Sequence, residues 1–175
     1  MQEVLTNQEI VYCFTGEIVD PRSCLIETDL FHQDVLEAYT VYNLGLPIPK
    51  SYSNYFDESR GGGQGDYREG MQEKIKNVVD CLTVLPTSKR AIITIPNTAD
   101  YTHSSDKDSK CLRSLHFFIK DNEICCSMYM RSQAAEIFPK NIHFVVTLMH
   151  DLKLKLKLDG LGSLFYHTTF LTKER

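Results

Sequence analysis

Between positions 111 and 141 the chain carries a thiol, a guanidinium followed by a hydroxyl, and a carboxamide, at Cys111, Arg131-Ser132 and Asn141. Cys111 follows a polar stretch and stands close to Lys110 and Arg113, and neighbouring cations favour the thiolate, the nucleophilic form of the group. On local sequence alone, a cysteine entering a strand reads more readily as a buried thiol. Arg131 and Ser132 can donate together to the oxygens of one phosphate, and Arg131 is also readable as a surface strand residue. Lys89 and Arg90 can complete such an anion site or belong to a solvated turn. Asn141 can cap a following helix or read the edge of a base, because an amide places a donor beside an acceptor.

A strand hairpin is what would bring these groups together. Leu115, Phe117 and Ile119 alternate with His116, Phe118 and Lys120, and Ile124, Cys126, Met128 and Met130 alternate with Cys125, Ser127, Tyr129 and Arg131. Period-2 patterns on either side of Asp121-Asn122 predict two paired strands joined by a turn. Cys111 enters the hairpin and Arg131-Ser132 leaves it, so both lie at the same end.

Around the hairpin, a strand is expected at Glu9 to Phe14 and a helix from about Asp29 to Tyr42, with Leu30, Val35, Leu36 and Tyr39 on one face and Glu37 near its wet edge. Gly45, Pro47 and Pro49 end that helix, and the GGGQG run at 61–65 predicts a mobile loop. A second helix follows from Asp66, with Met71, Ile75, Val78, Val79 and Leu82 on its buried face and Pro86 as its stop. The apolar run from Ala91 to Ile95 predicts a buried strand, and 98–110 a polar loop. A third helix spans Asn141 to Leu154, with Ile142, Val145, Val146, Met149 and Leu152 inside. The Lys/Leu alternation at 153–158 fits either the helix or a strand. Gly160 and Gly162 then precede a last strand from Ser163 to Leu171. About five strands and three helices result, an α+β domain.

The 175 residues, 42% of them hydrophobic, suffice for one domain over 1–175 with a real core. A net charge of −4 without a long basic run argues against nucleic-acid or membrane surfaces and leaves room for a small anion. No apolar run reaches membrane-span length and the N-terminus lacks a signal-peptide pattern, so a cytoplasmic protein is expected. The six cysteines contain no CxxC spacing, which argues against a metal site and for buried thiols.

The order TSKRAIITIPNTAD, polar loop, CLRSLHFFI, EICCSMYMRS and PKNIHFVVTLMHDL resembles the thymidylate synthase and nucleotide hydroxymethylase superfamily, from about Asp66 to the C-terminus. Residues 1–65, with the Gly-rich loop, form a divergent N-terminal part. The resemblance implies a mixed sheet with helices on one face and a dimer interface on its back. It implies that Cys111 adds to C6 of a pyrimidine nucleotide, that Arg131 and Ser132 hold the 5′-phosphate, and that Lys89 and Arg90 reach the phosphate of the partner subunit's site in a homodimer. Asn141 matches the amide that hydrogen-bonds N3 and O4, and asparagine there goes with a uridylate, dUMP or UMP. A catalytic glutamate in the first helix falls to Glu37. The family's terminal ribose clamp falls on Thr172 and Glu174 without a gap, or on His167 and Thr169 after a shift of register, which makes His167 the ribose candidate.

Several positions depart from the family pattern. Leu112 stands where a histidine follows the nucleophile, Lys110 replaces the preceding proline, and Ala134 replaces the aspartate that contacts the folate pterin, with Glu136 two residues on. The C-terminal segment that closes over folate is missing. Two functions follow: a C5 methyl- or hydroxymethyltransferase using a reduced folate (methylenetetrahydrofolate) or another one-carbon source, or a catalytically inactive relative that binds a nucleotide or only dimerises.

Overall fold

A five-stranded sheet in the order β1-β5-β4-β3-β2 forms the frame, in a computed structural model that describes residues 10–25, 27–55, 66–96 and 110–173. The strands are β1 (Ile10–Ile18), β2 (Ile92–Thr94), β3 (Leu112–Lys120), β4 (Glu123–Ala134) and β5 (Gly160–Thr172). Among the described residues three α-helices accompany them: α1 (Gln33–Asn43), α2 (Met71–Val84) and α3 (Phe138–Leu156). The α+β class is the one the sequence predicts, and the described residues hold the five strands and three helices expected. The expected GGGQG loop, most of the loop at 98–110, and Glu174 lie outside the described residues.

The hairpin forms as its alternation requires. Asp121 and Asn122 take φ of 52° and 61°, and Lys120 pairs directly with Glu123, so the connection is a two-residue turn of the type whose twist suits paired strands. Short polar side chains tolerate that left-handed backbone best. One feature is invisible to a period-2 pattern: Leu112 pairs with Met130 but Ser114 with Tyr129, so Arg113 is an extra residue bulged out of β3. The bulge lets Leu112 and Leu115, three apart, both enter the core.

β4 and β5 run parallel, which a tight turn cannot connect, and α3 is the crossover. This settles the Lys/Leu stretch as helix: Leu152 is buried and Leu154 exposed, and Lys157 closes the helix in the left-handed conformation, φ 56°. Ile142, Phe144, Val145, Leu148 and Met149 of α3 pack with Leu115, Phe117, Met128 and Met130 of the sheet and with Met71, Ile75, Val78 and Leu82 of α2. Each such side chain contributes about 1.5–3 kcal/mol of hydrophobic burial.

Four expectations need correction. Leu30 is exposed and precedes α1, which begins at Gln33 behind a β-conformation cap at His32. β2 is an edge strand covered on one side, so Ile93 is buried while Ile92 is exposed. Gly160 and Gly162 lie within β5 rather than before it. A Cβ on Gly162 would stand 2.5 Å from Sγ of Cys125, where the β4–β5 register shifts, so close approach of two strands explains this glycine. Asn141 is inside α3, not at its cap, which is Ile137.

Candidate active site

Cys111 and Arg131 meet at the open end of the hairpin. The Arg131 backbone N–H donates to the Cys111 carbonyl at 2.7 Å, and Nη2 of its guanidinium lies 3.9 Å from Cys111 Sγ. Nε of Arg131 is buried and has no hydrogen-bond partner among the described residues, an arrangement that suits an anionic ligand. Ser132 follows in β4, half-buried and paired with Phe170 of β5.

Tyr67 closes over Cys111 from the loop before α2. Its hydroxyl accepts from the Leu112 backbone N–H at 3.4 Å, and its ring packs on Phe144 of α3. The loop is pinned to the end of α1 by three contacts. Oδ1 of Asn43 accepts from the Tyr67 N–H at 2.7 Å, Tyr42 donates to Asp66 at 2.9 Å, and the Arg68 guanidinium lies 4.3 Å from the centre of the Tyr42 ring.

From Tyr67 a line of buried polar groups crosses the core. Its hydroxyl is hydrogen-bonded to that of Tyr39 on α1, and Tyr39 donates to Oδ1 of Asn141 at 2.9 Å. Nδ2 of Asn141 donates to Oε1 of Gln133 at 2.8 Å, and the Tyr166 hydroxyl donates to the same Oε1 at 3.2 Å. Burial pushes the hydroxyls of Tyr39, Tyr67 and Tyr166 well above the ordinary phenol range, and the charge of Cys111 adds to the effect on all three. They therefore remain protonated donors at neutral pH.

Tyr39, Tyr67, Gln133 and Tyr166 escaped the sequence reading. Tyr39 had a signal only as part of an apolar helix face; nothing local marked the others, since their partners lie far away in the chain, as with the 102 residues between Tyr39 and Asn141.

Four sequence candidates lie elsewhere. Glu37 hydrogen-bonds Gln33 and Tyr52 and faces His143, and two positions before Tyr39 it leaves α1 roughly 160° around the helix from that ring. Its carboxyl is held below the usual range by hydrogen bonds from Tyr52 and then Gln33. His167 sits on the opposite face of the sheet, its ring 5.2 Å from that of Tyr129, because β5 alternation turns Leu164 and Tyr166 inward and sends His167 out. The structure therefore does not bring His167 to Cys111. Lys89 and Arg90 are exposed before β2, where Ala91 accepts from the Phe117 N–H. Phe117 is six strand residues from Cys111, about 20 Å at the usual rise, so the pair shares no ligand with Arg131 within one chain.

At the positions that the resemblance assigns to a folate, Ala134 is a buried methyl group with no side-chain acceptor, and Glu136 is exposed on the turn at Ala135–Ile137. Leu112 is fully buried in the core.

No family model matches the chain. Among solved structures it is similar to thymidylate synthase from T4 phage, with a TM-score of 0.70 and 16% identity over 97% of this chain and 73% of that one. The fold is thymidylate synthase-like.

Proposed function

We propose that the site binds a pyrimidine nucleoside monophosphate, dUMP or UMP, and that Cys111 adds to its C6 to activate C5 for transfer of a methyl or hydroxymethyl group. The observation that carries this is the Cys111 thiol 3.9 Å from a guanidinium whose Nε is buried and unbonded among the described residues, with the Asn141 carboxamide held between Tyr39 and Gln133, two residues along β4 from Arg131. In the addition, the Sγ–C6 bond forms while the C5=C6 pair moves toward C5 and O4, leaving an enolate whose C5 attacks a one-carbon electrophile. Loss of the C5 proton to a base or to solvent then re-forms the C5=C6 bond and expels the thiolate, a good leaving group. Arg131 and Ser132 bind the phosphate, and Asn141 pairs with the base.

Glu37 takes no part as an acid, since its partners hold it ionised. The Ala134 side chain offers a pterin no acceptor, so the donor favoured is a formaldehyde-level electrophile giving a hydroxymethyl product, and a methyl product requires a methyl donor that carries its own leaving group. The single domain works as a homodimer through the sheet face that the described residues leave uncovered, where Ile92, Tyr129 and Phe165 are exposed. The twofold lets Lys89 and Arg90 of each copy serve the other copy's phosphate.

The apolar Leu112 and Ala134 favour a second reading, a nucleotide-binding protein without turnover. Both readings require binding. dUMP or UMP at 100 times Kd should add about 2.7 kcal/mol of stability and raise Tm by roughly 5–10 °C, and Arg131→Ala should abolish the shift. A wild-type protein that responds to none of dUMP, UMP, dCMP and CMP contradicts both.

A further inference from the structure

Gln133 makes a hydrogen-bond pattern that admits only one orientation. Its Nε2 donates to the backbone carbonyl of Ala134 at 2.6 Å, and its Oε1 accepts from Asn141 Nδ2 and from the Tyr166 hydroxyl. Tyrosine hydroxyls can donate or accept, so the Tyr39 and Tyr166 ends of the line tolerate either direction. A carbonyl only accepts. Turning the Gln133 amide over would set Oε1 against the Ala134 oxygen, two acceptors at hydrogen-bond distance in a site where Gln133 is 1% exposed. Oε1 must therefore face Asn141, Nδ2 of Asn141 must face Oε1, and Oδ1 must face Tyr39.

With both neighbours in place, Asn141 retains one N–H on Nδ2 and one lone pair on Oδ1. These form a donor beside an acceptor in a fixed order. Uracil offers N3–H beside O4, a donor beside an acceptor, whereas cytosine offers N3 beside the 4-amino group, the reverse. An asparagine free to turn over serves both bases; one fixed in direction meets two mismatches with the wrong base.

We infer that Gln133 is a positioning residue that fixes the direction of the Asn141 carboxamide, so that the site accepts one pyrimidine base and rejects the other. The inference rests on the nucleotide reading above, which makes the accepted base uracil. Gln133 itself need not touch the ligand.

Calorimetric titration of wild type, Gln133→Met and Gln133→Glu with dUMP and dCMP tests it. Two mismatched hydrogen bonds should separate the nucleotides by about 100-fold in wild type. Gln133→Met should bring the two affinities within about 10-fold. Gln133→Glu, protonated because it is buried against the Ala134 carbonyl, donates its O–H to that carbonyl, keeps its other oxygen as the acceptor facing Asn141 and should preserve the wild-type ratio. If Gln133→Met does not fold, Gln133→Ser replaces it, because its small polar side chain leaves room for water to meet Asn141 in either direction. An unchanged ratio in the Met or Ser variant overturns the role of Gln133 and leaves the nucleotide reading standing. A wild-type preference for dCMP that collapses in the variant upholds Gln133 and overturns the choice of uracil. Binding of neither nucleotide by wild type overturns both.

Discussion

On the helix-covered side of the sheet, Tyr39, Tyr67, Gln133, Asn141 and Tyr166 are buried and hydrogen-bonded to one another, whereas on the other side Ile92, Tyr129 and Phe165 stand exposed. The same strands supply both faces: in β5, Tyr166 points in while Phe165 and His167 point out. Polar groups sealed from water gain fixed directions, which is what recognition of a base edge demands. Exposed apolar groups gain nothing until another surface covers them. On the proposed function, the inner face reads the base and the outer face associates.

The comparison breaks most visibly on the outer face. Phe165→Asp with Tyr129→Asp should weaken self-association by at least about 1,000-fold, since each change removes about 2 kcal/mol or more of apolar burial and desolvates a charge. Sedimentation should show a wild-type dimer and a variant monomer with unchanged circular dichroism; a monomeric wild type at tens of micromolar rejects the assignment. On the inner face, Asn141→Ala should cost about 100-fold in nucleotide affinity, measured by calorimetry, because two base contacts and the partners of Tyr39 and Gln133 are lost together. Smaller still, Tyr39→Phe removes one buried hydroxyl worth about 1–3 kcal/mol and should lower Tm by about 3–8 °C; a change under about 1 °C would mean that the polar line adds nothing to stability.

The smallest effect is one of pH. His143 bonds Thr40 at 2.7 Å, and burial pushes its titration below the ordinary value of 6.5, against the opposing field of Glu37. For a group depressed in the folded state, the stabilisation is complete above that ordinary value and is lost as pH falls toward the lowered one. Melting curves from pH 7 to pH 5 should decline, and His143→Gln should flatten the decline by on the order of 1–2 °C. An identical slope in the variant would place the loss elsewhere.

What the sequence made legible follows the range of the forces involved. Alternation through Leu115 to Met130 reports contacts between adjacent strands, and the hairpin, its turn and the meeting of Cys111 with Arg131 all follow from it. The bulge at Arg113 and the tight approach at Gly162 depend on neighbouring strands, and no local period encodes them. His167 lies on the face away from Tyr166 because one step of register in a strand exchanges inside for outside. The Tyr39–Asn141–Gln133 line joins α1, α3 and the end of β4, so only the assembled fold reveals that the Asn141 amide has a fixed direction.

Release of tritium from C5 of dUMP or UMP into water tests the central claim most directly, since exchange needs addition at C6 but no one-carbon donor. The account predicts release by the wild type and its loss, by about 10,000-fold or more, in Cys111→Ala. Absence of release with dUMP, UMP, dCMP and CMP, or undiminished release by Cys111→Ala, would contradict it.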